Sequence, residues 1–280
     1  AACVTEPRPA GIIPAGPRTA GGMGNSATAA SSDSPAPAGS RANVVPLRDG
    51  HADALVVMPA RNEAAVVGTV VAGVRACGLD ALVVDDHSGD DTAGVARAAG
   101  ARVLRLPFHG GAWAAIQTGI RFALGRGYRY VVTFDADGQH LPGEIARLLD
   151  RAVSDNAPNV LIGSCPARAN LRRRVAWRAL HWLSGLAVED LTSGFRVYDR
   201  DAMRLLAHAQ HALFEYQDIG VLLCLRHQGL SIREVPVDMQ PRQYGHSRVF
   251  RSWPMVAYYL IYSALIGGSR RRALAPDRKR

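Results

Sequence analysis

Between Ala54 and Val153, short apolar runs alternate with stretches of helical spacing, and this restricts the fold more than any other feature. Ala54-Leu-Val-Val-Met58 and Ala81-Leu-Val-Val-Asp85 are short runs of the kind found in strands buried on both faces. Arg102-Val-Leu-Arg-Leu106 and Tyr128 to Phe134 read as further strands. Glu63 to Ala76, Thr92 to Ala99, Ala112 to Leu124 and Pro142 to Val153 carry helical spacing, with Pro142 at a permitted first-turn position. Strands separated by helices of this length build βαβ units. The expected fold class is therefore α/β: a mainly parallel sheet flanked by helices.

The second half is more varied. Pro158 to Ser164 reads as a strand, Arg172 to Leu186 as a basic helix containing aromatics, and Phe195 to Tyr198 as a short extended segment. Phe214 to His227 reads as a helix and Leu230 to Val237 as a strand, followed by an apolar helix over Trp253 to Ile266. Residues 1–50 are rich in Ala, Gly, Pro and Ser without periodicity, so they bury too little apolar surface to offset their ordering entropy. The expected organisation is a disordered extension over 1–50, one domain over 51–250, and an apolar helix with a basic tail over 251–280.

Composition limits the partners. A hydrophobic content of 48% suits a chain with a sizeable core, and the net charge of +9 favours anionic ligands such as nucleotides or phospholipid surfaces. The cysteines Cys3, Cys77, Cys165 and Cys224 are scattered, which argues against a zinc site or a disulfide scaffold and fits a reducing cytosol. There is no helix-turn-helix or zinc pattern, so nucleic acid is not an expected partner. No stretch reaches the roughly 20 apolar residues of a bilayer span, and no compact apolar run marks a secretory signal. Ser252 to Ile266 carries Trp253, Tyr258, Tyr259 and Tyr262 between basic flanks. It suits either an interfacial helix in peripheral contact with a membrane or a buried core helix.

In open α/β sheets, ligands bind beyond the carboxyl ends of the strands. Polar clusters follow the first, second and fourth strands here: Pro59 to Glu63, Asp85 to Thr92 and Asp135 to His140. Phe134-Asp-Ala-Asp-Gly-Gln-His140 sets two carboxylates two residues apart, with Gln139 close behind. Hard cations such as Mg²⁺ or Mn²⁺ take oxygen ligands of this kind, one or two carboxylates plus substrate phosphate oxygens. The bland alternative is an acidic turn in which Gly138 supplies the bend.

Five motifs in order resemble the family 2 glycosyltransferases of GT-A fold, especially the dolichol-phosphate mannosyltransferase and polyprenyl-phosphate glycosyltransferase branch. They are Met58-Pro-Ala-Arg-Asn-Glu63, Val84-Asp-Asp-His-Ser-Gly-Asp-Asp-Thr92, Asp135-Ala-Asp137 with Gln139, Asp190-Leu-Thr-Ser-Gly-Phe-Arg196, and Glu234-Val-Pro-Val237 with Arg242 and Gly245-His-Ser247. The resemblance implies a metal-dependent enzyme moving a hexose, with inversion, from a UDP- or GDP-sugar to polyprenyl phosphate or another cell-envelope glycan acceptor. It would work in the cytoplasm or at the inner face of the cytoplasmic membrane.

The resemblance also implies site roles. Pro59, Arg61 and Glu63 would lie along the nucleotide, and Asp86 would accept from a base N–H. Asp135, Asp137 and Gln139 would hold the metal, with Asp135, Ala136 and Asp137 against the donor. Arg196, Arg242 and one of Arg172 to Arg174 are candidates for phosphate, where a guanidinium makes bidentate contacts. Asp137 and Asp190 are the expected catalytic acids. Asp190 would act as general base, or would orient an acceptor phosphate that is already largely ionised. Asp85 and Asp91 have bland readings as caps of a turn and of the next helix, and Glu215, Tyr216 and Asp218 are either acceptor contacts or helix N-terminal charges.

One segment departs from the family. Phe108-His-Gly-Gly-Ala-Trp113 stands where an Asn and a Gly-Lys-Gly-like loop are usual, which leaves Trp113 as core or as a wall of the sugar pocket. Two rival functions remain. A nucleotidyltransferase would also use paired acids, but with a Gly-rich basic loop that Met58 to Glu63 lacks. A degenerate binding module would be expected to have lost the acids retained here.

Overall fold

The structure is a computed structural model, and it describes residues 51–165, 188, 190, 193–208 and 219–240. Every described residue lies in the unit Ala42–Arg280. The extension over 1–50, the expected helices at 172–186 and 253–266, and Arg242 lie outside the described residues.

The expected alternation forms one sheet. Its strands are β1 (Ala54–Ala60), β2 (Asp80–Asp85), β3 (Arg102–Arg105), β4 (Tyr130–Thr133), β5 (Val160–Ser164), β6 (Arg196–Tyr198) and β7 (Ile232–Pro236). The helices are α1 (Val67–Ala76), α2 (Thr92–Ala98), α3 (Gly111–Gly125), α4 (Glu144–Ala152), α5 (Arg200–Leu206) and α6 (Ile219–His227). The strand order is β3-β2-β1-β4-β6-β5-β7. Pairing is parallel for β1 with β2 and β4, for β2 with β3 and for β5 with β7, whereas β6 runs antiparallel to β4 and β5.

The period of two in each strand divides the core into two layers. Ala54, Val56 and Met58 of β1 face Val67, Val71, Ile145 and Leu148 on one side of the sheet. Leu55 and Val57 face Trp113, Ile116, Ile120 and Met203 on the other. Burial on both faces is why these strands read as continuous apolar runs. Trp113 is fully buried in the second layer, so it is a core residue.

Helix α1 begins at Val67 rather than at Glu63, because Glu63 heads a turn. The N–H groups of Val66 and Val67 both donate to the Glu63 carbonyl, while the Glu63 N–H is taken by Thr92 Oγ1. Helix α5 is absent from the sequence reading. Its signal is short: Asp199 accepts from the Ala202 N–H at 2.8 Å, and Ala202, Met203 and Leu206 are buried.

Helix α3 lies close on the sheet. A Cβ built on Gly119 would stand 2.2 Å from Val57 Cγ1. Glycine to alanine within a helix ordinarily stabilises by about 1 kcal/mol. Here Gly119→Ala should instead destabilise by about 1–3 kcal/mol, the usual cost of overpacking a core. Urea unfolding of the two proteins gives the sign directly.

Candidate active site

Strand order reverses between β1 and β4, and the crevice beyond their carboxyl ends is where an open sheet of this kind binds ligands. Six strands end at that edge. The antiparallel β6 begins there, so the segment containing Asp190 and Ser193 to Phe195 reaches it as well.

The loops after β1 and β2 are fastened together by side chains that take each other's backbone groups. Asn62 N–H donates to Ser88 Oγ at 3.0 Å, Glu63 N–H to Thr92 Oγ1 at 2.9 Å, and Ala64 N–H to Asp90 Oδ2 at 3.1 Å. Gly89 N–H returns to Asn62 Oδ1 at 2.8 Å. Asn62, at φ 55°, occupies left-handed backbone that asparagine tolerates better than most residues. Burial opposes ionisation of Asp90, but hydrogen bonds from Thr92 and from the Ala64 and Thr92 N–H groups outweigh it and hold the carboxyl below its ordinary range. Asp91 occupies the N-cap position of α2 without a side-chain capping bond. Asp85 does cap the turn after β2, accepting from Ser88 N–H at 3.0 Å, and it pairs with Arg105 Nε at 3.3 Å.

Asp86 is buried and bound on both oxygens. Oδ1 accepts from Gly110 N–H at 2.7 Å, and Oδ2 from Gly111 N–H at 3.0 Å. These are the amides of the N-cap residue and of the first residue of α3, where a carboxylate complements the helix dipole. Oδ2 also meets His109 Nδ1 at 2.7 Å, and His109 Nε2 meets Arg61 Nη1 at 2.9 Å. Arg61 and Asp86, expected along the nucleotide, are thus joined through a histidine that sequence reasoning left without a role. Its signal was the departure at Phe108 to Trp113.

The turn after β4 carries the paired acids. Ala136 is buried and anchors it in the core, and Gly138 takes φ +75°, which a side chain would resist. Asp137 Oδ1 accepts from Gln139 N–H at 3.1 Å, fixing the turn. The Asp135 side chain remains 44% exposed, with His140 Nε2 3.5 Å from its Oδ2. His140 is buried against Phe134 and Phe195, with ring centroids 5.5 and 5.1 Å away. It is a second site residue that had no assigned role, although its place in the motif was visible. The Gln139 carbonyl accepts from Gln240 N–H at 2.9 Å, which ties the turn to the segment after β7.

The Asp190 loop closes the other side. Asp190 is fully buried, and its N–H donates to Glu234 Oε1 of β7 at 2.7 Å. Ser193 Oγ donates to the Gly163 carbonyl at 2.6 Å, and Thr133 Oγ1 to the Gly194 carbonyl at 2.7 Å. A Cβ on Gly194 would lie 2.7 Å from Asp135 Oδ2, so the absence of a side chain there makes room for that carboxylate. Arg196, expected at a phosphate, is fully buried, with Nε donating to the Ser193 carbonyl at 2.9 Å. That bond ties it to its own loop.

Two carboxylates and an amide oxygen, with one carboxylate open to solvent, fit a hard divalent cation that completes its shell from phosphate oxygens. Among the described residues there is no group of three or more His, Cys, Asp and Glu arranged to hold a metal.

The glycosyl transferase family 2 profile matches residues 55–206, and the chain belongs to that family. It is 31% identical over 215 residues to the polyprenol monophosphomannose synthase of Mycolicibacterium smegmatis, covering 70% of this chain and 80% of that one. It is 31% identical over 187 residues to the undecaprenyl-phosphate mannosyltransferase of Micrococcus luteus, covering 61% and 75%. Glucosyl-3-phosphoglycerate synthase from Mycobacterium tuberculosis, solved with Mn²⁺, UDP and glucosyl-3-phosphoglycerate, shares the fold. Its TM-score is 0.60 at 23% identity, over 77% of this chain and 80% of that one. The sheet described above is the GT-A arrangement expected from the motifs.

Gly194→Ala tests how closely the two loops fit. The added methyl must displace the Asp135 carboxylate, so Mn²⁺ affinity measured with UDP present, followed by electron paramagnetic resonance, should fall about 10-fold, equivalent to about 1.4 kcal/mol. The urea midpoint should change little. Unchanged Mn²⁺ binding would show that Asp135 takes no part in holding the ion.

Proposed function

We propose that the chain transfers a hexose, with inversion, from a UDP- or GDP-sugar to polyprenyl phosphate or another cell-envelope glycan acceptor. The carrying observation is the Asp135-Ala-Asp137 turn at the reversal point of the sheet, with the Asp135 carboxylate left open. Asp135, Asp137 and Gln139 hold Mg²⁺ or Mn²⁺ in this reading. When bound, the ion offsets the negative charge that develops on the departing nucleoside diphosphate. Pro59, Arg61, Glu63 and Asp86 line the nucleotide side, with Ala136 beneath the donor and Arg242 over it.

Asp190 faces the acceptor. A sugar hydroxyl would need it as general base, whereas a lipid phosphate, with a second pKa of about 6, is mostly ionised at neutral pH and needs only orientation. Relatives named for polyprenol and undecaprenyl phosphate favour the second role. Among the described residues, no helix is long and apolar enough to cross a membrane. In this reading residues 51–250 form the transferase domain. The apolar segment and basic tail over 251–280 bring it to the inner face of the cytoplasmic membrane, where such an acceptor resides.

The test mixes the full chain with Mn²⁺, a panel of UDP- and GDP-sugars and a short-chain polyprenyl phosphate, and follows nucleotide release. One donor should give acceptor-dependent release, and Asp137→Ala should lower it by at least about 100-fold, the scale on which lost transition-state charge stabilisation is felt. Folded protein that binds neither UDP nor GDP with metal, and releases nothing, would sink the transferase reading.

A further inference from the structure

The hydrogen bonds around Asp86 carry information about which nucleotide the site accepts. This step rests on the proposed transferase reading and deepens it. A carboxylate offers about four lone-pair positions, two on each oxygen. Oδ2 of Asp86 already has two donors, Gly111 N–H at 3.0 Å and His109 Nδ1 at 2.7 Å. Oδ1 has one, Gly110 N–H at 2.7 Å. One position is left.

The count depends on the histidine tautomer, and Arg61 decides it. A guanidinium only donates, so His109 Nε2, 2.9 Å from Arg61 Nη1, must be the bare, accepting nitrogen. The proton then sits on Nδ1 and is donated to Asp86 Oδ2. A proton on Nε2 would set two donors face to face. Arg61 thereby holds His109 in the one tautomer that occupies the last position on Oδ2. The Arg61 Nε–H on the same hydrogen-bonded chain is buried and has no partner.

Nucleobases differ in how many adjacent donors they present. Uracil shows a single ring N–H flanked by two carbonyl oxygens. Guanine shows a ring N–H beside an amino N–H, and a carboxylate receives that edge with both oxygens. An Asp86 with one free position on Oδ1 and none on Oδ2 satisfies uracil and leaves one guanine N–H without an acceptor. Sites that meet ligand N–H groups with buried partners discriminate strongly when one bond is missing.

We propose that the donor is a uridine diphosphate sugar, and that His109 is the positioning residue that sets this preference by filling the last acceptor position on Asp86 Oδ2. It acts through Asp86 and touches no reacting atom. The location of His109, in the segment that departs from the family pattern, gives this chain its own device for the choice.

Titration calorimetry with UDP and GDP, each with Mn²⁺, on the full-length wild type and on His109→Ala tests it. The wild type should bind UDP about 10-fold or more tightly than GDP, the effect of one unsatisfied buried N–H. His109→Ala frees a position on Oδ2 and should narrow that ratio to within about 3-fold, mainly by improving GDP. A merely structural role for His109 would weaken both nucleotides together and leave the ratio standing, which overturns the assignment. Equal or tighter GDP binding by the wild type overturns the uridine preference while leaving the transferase reading intact. Binding of neither nucleotide overturns both.

Discussion

The site depends on the antiparallel pairing of β6 with β4. Every other strand of the sheet ends at the crevice, and a further parallel strand would have left its own leading loop at the far edge. Reversing β6 instead brings the loop that precedes it alongside the turn that follows β4. The register fixes the meeting point, because Thr133 faces Arg196 and the Thr133 hydroxyl donates to the Gly194 carbonyl at 2.7 Å. Gly194 then lies under Asp135, where any side chain would collide with its carboxylate. A backbone ladder thus sets the position of an acidic group that two distant stretches of sequence supply jointly.

The parts of this arrangement legible in the sequence are those with a period. The runs at Ala54 to Met58 and Ala81 to Asp85 announced strands buried on both faces, and the lengths between them announced crossover helices. That was enough to place three polar loops at one edge. The reversal of β6 left no such mark. Three residues are too few to show alternation, and direction in a sheet is set by the connections, not by the strand itself. The start of α1 was misplaced for a related reason: Glu63 looks like a good helix residue, but its N–H is claimed by Thr92 from another loop. Contacts between loops carry no local signal.

The same limit applies to the charged residues. Sequence motifs mark candidate acids and arginines, but not how the fold holds each of them. Asp86 and Arg196 are buried and bonded to backbone groups, whereas Asp135 keeps nearly half of its surface. The Asp86 carboxylate, with three protein donors, is held in one orientation, its charge stabilised by fixed N–H dipoles and by the start of a helix. Asp135, by contrast, keeps a solvent-facing carboxylate. The division of labour follows from solvation, which residue identity does not encode.

His140 shows how such an open carboxylate is kept in place. Its ring is packed against Phe134 and Phe195, which themselves meet edge to face at 5.3 Å, so the imidazole has little freedom to turn. Nδ1 is buried in that wall without a hydrogen-bond partner, while Nε2 faces Asp135 Oδ2 at 3.5 Å. Orphaned N–H groups are rarer in protein interiors than acceptors with spare lone pairs. The favoured tautomer therefore places the proton on Nε2, towards the carboxylate, and the bare nitrogen among the rings. At 3.5 Å the contact is too long for a strong hydrogen bond. The packed imidazole thus presents Nε2 to a carboxylate that is itself 44% exposed, a contact set by ring packing and not by a short hydrogen bond.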